Sequence, residues 1–151
     1  MEIEIQLNQA INLKEELIQK LKDNRKKILN NSNKNKNMLD ELTFYQTQLS
    51  EDLITVKKAI NNKNHELGID GLIYTLSECR ELIITYNKLL DSSLLSENEK
   101  QKDEIIKSYS KSIKNLNNKK YKIENTLDKL NKENNIKVNI YSDIDKIKKI
   151  N

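Results

Sequence analysis

Proline and tryptophan are absent from this 151-residue chain, glycine occurs twice, and phenylalanine, cysteine and histidine occur once each. Sandwiches, barrels and doubly wound sheets need many tight turns, and glycine and proline are their usual punctuators. Their scarcity points to a few long helices and leaves no material for a glycine-built phosphate loop. The single cysteine, Cys79, excludes an intramolecular disulfide and a cysteine-based zinc cluster. The opening MEIEIQLNQA is acidic where a secretory signal is basic, and no apolar core follows it. No run of 18 apolar residues offers a membrane span. A soluble, cytoplasmic bacterial protein is the expectation.

Arginine is also scarce. Of 27 cationic residues only Arg25 and Arg80 are arginines, against 23 carboxylates, for a net charge of +4. Base and phosphate recognition favours the arginine fork, so the basic pI of about 9.0 does not imply specific nucleic-acid binding. Charge is uneven along the chain: +3 over residues 1–37, −5 over 38–97 and +6 over 98–151. The 22 asparagines and 20 isoleucines fit an AT-rich coding sequence better than a selected asparagine chemistry.

Hydrophobic periodicity predicts four helices. A first, from Ile5 to Leu29, carries Leu7, Ala10, Lys14, Leu17, Leu21 and Ile28 along one stripe of 3,4 spacing, with Ile11 and Ile18 widening it. The run Asn30–Asn37 closes it as a loop, because asparagine competes for backbone hydrogen bonds. A second helix, Met38 to Asn61, shows Met38, Leu42, Tyr45, Leu49, Val56 and Ala59 on one face. Asp52 falls in the slot between Leu49 and Val56, and the stripe is expected to shift to Leu53 rather than bury an acid. The stretch 61–71, with both glycines, reads as the best-defined turn. A third helix, Leu72 to Leu90, has the cleanest pattern (Leu72, Leu76, Cys79, Ile83, Tyr86, Leu90) and the most central expected place. Ser96-Glu97-Asn98-Glu99 fits a capping box before a fourth helix of about 35 residues. Its heptad runs from Ile106 to Leu130 with one polar break at Lys120, a coiled-coil-like arm or an oligomer contact. Residues 136–141 and Glu2–Ile5 alternate with period two, as two short strands able to pair within or between chains. Ile144, Ile147 and Ile150 allow a last helical turn or two.

The opening helix, the segment Leu53 to Asn64 and the segment Ile73 to Leu82 together resemble the septicolysin family of small bacterial helical proteins. The resemblance follows element order over about two thirds of the chain. Where the family shows threonine after an isoleucine–asparagine pair, this chain has Lys63, and the family's C-terminal tryptophan is missing. The resemblance implies a compact, self-associating helical protein; the family name implies a cytolysin, without a catalytic set to carry over.

No constellation carries chemistry. His65 has oxygen-rich neighbours but no convergent ligands, and reads as a solvent-facing or turn-stabilising residue. Cys79 lies on the apolar face of the third helix, a packing thiol rather than a reactive one. Facing-helix carboxylate metal sites need Glu-x-x-His, which is absent. Asn61 and Asn64 are expected to cap the second helix, and with Arg80 they form the candidate interaction surface. Lys111, Lys114, Lys119, Lys120 and Lys122 form a basic stretch without a reading motif. The expectation is therefore one all-α domain over residues 1–151: a four-helix antiparallel bundle with coiled-coil-like arms and a short terminal β pairing. It has no enzymatic role, cofactor or metal. Its function is structural or interaction-based, most simply as a homo-oligomer, with a cytolysin-like action at a membrane surface as the alternative.

Overall fold

A computed structural model describes residues 1–31, 33, 35–93 and 98–141. The order is β1 (Glu2–Gln6), α1 (Leu7–Asn30), α2 (Lys36–Glu66), α3 (Ile69–Ser93), α4 (Glu99–Glu133) and β2 (Asn135–Asn139). The fold is all-α, with four helices and one antiparallel strand pair. Two compact units divide it: Met1–Glu66 with the chain from Leu130, and Leu67–Lys129.

Asparagine side chains mark the helix ends. Asn31 Nδ2 donates to the Lys27 carbonyl (2.7 Å), and Asn35 Oδ1 accepts from the Asn37 N–H (2.9 Å). Asn98 Oδ1 accepts from the Gln101 N–H (3.1 Å), and Asn134 Nδ2 donates to the Leu130 carbonyl (2.9 Å). Each satisfies a backbone group that a helix terminus leaves over. Whatever produced the asparagine bias, the fold uses it. Ser96, the expected cap of the fourth helix, lies outside the described residues; Asn98 does that work at the start of α4. The C-terminal isoleucines 144, 147 and 150 also lie outside them.

In the first unit, β1 and β2 pair antiparallel within the chain, with Ile3 opposite Val138 and Ile5 opposite Ile136. The Leu7 N–H donates to the Asn134 carbonyl (2.8 Å) and the Ile140 N–H to the Met1 carbonyl (3.0 Å), extending the ladder at both ends. Period-two alternation turns Ile136, Val138 and Ile140 inward, where they are buried. α1 starts at Leu7 rather than Ile5, because Ile5 belongs to the strand. It contributes Leu7, Ala10, Leu13, Leu17 and Leu21 to the core, and so carries more buried apolar residues than α3, the element expected at the centre. The α1–α2 connection is only residues 31–35, which folds the two helices back as an antiparallel hairpin.

Two buried polar residues sit in that hairpin. Asn24 occupies the stripe position between Leu21 and Ile28. Its Nδ2 donates to the Leu42 carbonyl (2.8 Å) and to Gln46 Oε1 (2.9 Å). Asp52 is buried at 1% exposure, while Leu53 is only half-buried. The predicted shift of the stripe to Leu53 therefore does not occur. The reason is tertiary: β2 packs along α2, and the Tyr141 N–H just beyond it donates to Asp52 Oδ1 at 2.7 Å. Nearer the loop Met38 and Tyr45 of the same stripe remain 44% and 42% exposed.

α2 also runs on through Asn61 to Glu66, five residues past its expected end. The turn is only Leu67–Gly68. Gly68 has φ of +68°, which an L side chain adopts only with strain, whereas Gly71 lies inside α3.

The second unit is a helical hairpin. Tyr86 meets Tyr109 edge-on, with ring centroids 5.1 Å apart. Arg80 Nη2 bridges Glu124 Oε1 at 3.1 Å. Rising numbers on α3 thus meet falling numbers on α4, so the two run antiparallel, as a coiled-coil-like pair. Leu76, Cys79 and Ile123 are its buried stripe residues, with Ile69 at the start of α3.

Candidate interaction surface

The three residues singled out from the sequence fall in different settings. Asn61 is exposed and Asn64 half-buried, both inside α2 in the first unit. Neither caps the helix; continuation to Glu66 removes the free carbonyls they were expected to meet. Asn64 Oδ1 is enclosed and has no hydrogen-bond partner among the described residues. Beside it, Lys63 Nζ bridges Glu66 at 3.0 Å. Arg80 belongs to the second unit, is exposed, and is engaged with Glu124. His65 is exposed near the end of α2, and Cys79 is buried at 3% exposure. Among the described residues, no three His, Cys, Asp or Glu side chains converge as a metal-binding group, and no helix is long and apolar enough to cross a membrane.

Two surfaces of the second unit stand out instead. One is apolar. Outside the buried set, Leu72, Ile83, Tyr86 and Leu90 of α3 and Ile106, Ile113 and Leu116 of α4 are only half-buried. Leu82, Ile84 and Leu89 are exposed at 39%, 47% and 38%. α3's apolar side is broader than one neighbouring helix covers. That width was legible in the sequence, where Leu82 and Leu89 flank the stripe; the lack of cover was not.

The other is cationic. Lys107, Lys111, Lys114, Lys119 and Lys122 are exposed, whereas Lys120, set in the apolar stripe, is half-buried. Tyr121 among them is 65% exposed. The sequence reading reached five of these lysines but passed over Lys107 and Tyr121, whose seven-residue spacing with Lys114 was the available signal.

Comparison with protein-family models, curated proteins and solved structures gives no match for this chain.

Proposed function

We propose that this protein is a non-enzymatic structural or interaction protein that works as a homo-oligomer, assembled through the α3–α4 hairpin. The observation that supports it is the contrast in burial. α1 submerges five apolar side chains, whereas most of the α3 and α4 stripe stays half-buried and Leu82, Ile84 and Leu89 stay exposed. Two helices have one seam, and the stripe of α3 is wider than one seam. Leu82 and Leu89, seven residues apart, share one edge of that stripe and Ile84 lies on the other, and an exposed apolar edge of this kind marks a protein contact.

The occupant proposed is a second copy of the chain. An isologous two-fold contact lays the exposed Leu82–Leu89 edge of one chain against the same edge of the other, so that one patch covers itself. The same reading agrees with the self-association that the septicolysin resemblance implies. A cytolysin-like action, the other implication of that resemblance, is separated by dye release from lipid vesicles at physiological salt: leakage supports lysis, and intact vesicles support the interaction role.

Light scattering across protein concentration tests the assembly. The expected result is a mass of two or more chains, reduced to one chain by Leu82→Glu with Leu89→Glu, with helicity by circular dichroism retained. A wild-type monomer at all concentrations refutes it.

A further inference from the structure

We propose that the outer face of α4 binds single-stranded nucleic acid without sequence preference, its phosphates on Lys107, Lys111, Lys114 and Lys122 and a base stacked on Tyr121. Lys107, Lys114 and Tyr121 are seven residues apart in turn, and Lys111 and Lys122 are eleven apart. Both intervals return to nearly the same side of a helix, drifting by about 20°. The two rows are offset by four residues, Lys107 to Lys111, or about 40°, so the five side chains lie in a strip about 100° wide on one face of α4. At about 1.5 Å per residue, the strip is roughly 22 Å long from Lys107 to Lys122.

The electrostatics of this strip differ from the rest of the protein. Four lysines outside the strip pair with acids close by in sequence: Lys14 with Glu15, Lys20 with Glu16, Lys63 with Glu66 and Lys102 with Glu99. Between Glu104 and Glu124 there are six lysines and no acid, and among the described residues none of the six forms an ion pair. Lys107 and Lys111 are four apart and Lys111 and Lys114 three apart, spacings at which like charges repel on a helix surface. A polyanion relieves that repulsion and releases its own counterions.

The chemistry of the remaining side chains selects the polyanion. Ser108, Ser110, Asn115, Asn117 and Asn118 are the exposed residues between the lysines, so no aliphatic side chain is presented for burial in a bilayer. Tyr121 gives a ring on which a base can stack, a contact that tolerates any base. Arginine forks for reading base edges are missing from this face, which fits binding without sequence preference.

The test is fluorescence anisotropy of labelled 20-nucleotide oligo-dT and oligo-U with the full chain, from 50 to 300 mM KCl. With four phosphates neutralised at about 0.7 counterion each, log K should fall against log salt with a slope of about −3. Lys111→Gln with Lys114→Gln should flatten the slope to about −1.4. Tyr121→Ala should weaken binding about ten-fold and leave the slope unchanged. All these residues are exposed, so circular dichroism and solution mass should match the wild type. Absence of binding at 50 mM KCl, binding indifferent to the lysine pair, or binding indifferent to Tyr121→Ala would each overturn the proposal. So would tighter binding to phosphatidylserine vesicles than to either oligonucleotide.

Discussion

Replacing Asp52 by alanine should destabilise the first unit by about 2 kcal/mol, and the reasoning can be followed atom by atom. Asp52 is 1% exposed on α2, and its Oδ1 accepts the Tyr141 N–H at 2.7 Å, a short charge-assisted bond. Alanine removes the acceptor and leaves a part-buried N–H with nothing in its place, which costs about 1–3 kcal/mol. Asparagine keeps an acceptor oxygen at that position and gives up only the charge, so Asp52→Asn should cost about 1 kcal/mol or less. For a chain of this size each kcal/mol moves Tm by roughly 2–4 °C, so the alanine variant should melt about 4–8 °C lower. The assays are thermal and urea unfolding by circular dichroism, with hydrogen exchange at the Tyr141 amide as the local readout. Exchange should quicken strongly in Asp52→Ala and slightly in Asp52→Asn. An alanine variant within about 0.5 kcal/mol of wild type, the usual range of a surface substitution, with Tyr141 exchange unchanged, would refute the argument.

The two glycines should respond with opposite signs. Gly68→Ala places a Cβ at a φ of +68° and should destabilise by about 1 kcal/mol, while Gly71→Ala, inside α3 with open space around it, should stabilise by roughly 0.5–1 kcal/mol. Urea midpoints of the two variants decide both. Asn24→Ala should cost about 1–2 kcal/mol, because it strips a buried bond from Gln46 and opens a gap; Asn24→Ala with Gln46→Leu should recover part of that loss in the same assay. Cys79, at 3% exposure, should react with a thiol reagent at least tenfold more slowly in the native protein than in urea, read by absorbance; equal rates would contradict its burial.

Local pattern was enough for the helices. The 3,4 spacings of α1 and α3 and the heptad of α4 are properties of neighbouring residues, and they located those elements to within a few positions. The alternation in Glu2–Ile5 and in residues 136–141 likewise announced two short strands. Each strand alone is half of a ladder and required a partner edge; the alternation left pairing within or between chains open, and the structure pairs the two within the chain. The asparagine run beginning at Asn30 marked the end of α1 for the same local reason, since such side chains compete for the terminal backbone groups.

Other features depended on what lies across from a residue. Asp52 looked like an error in an apolar stripe, because nothing in α2 itself shows that a backbone N–H from residue 141 arrives there. Asn24 was equally unreadable until Leu42 and Gln46 stood opposite it. The end of α2 was misplaced because Asn61, Asn62 and Asn64 favour a turn locally. The helix continues to Glu66 all the same, and the chain reverses at Gly68, where positive φ is cheap. The stripes of α3 and α4 could be drawn from their letters. How half-buried they remain, and which lysines are left without an acid among the described residues, emerged only with the partners in place. Periodicity says which side of a helix is apolar, whereas burial and hydrogen bonding are properties of pairs.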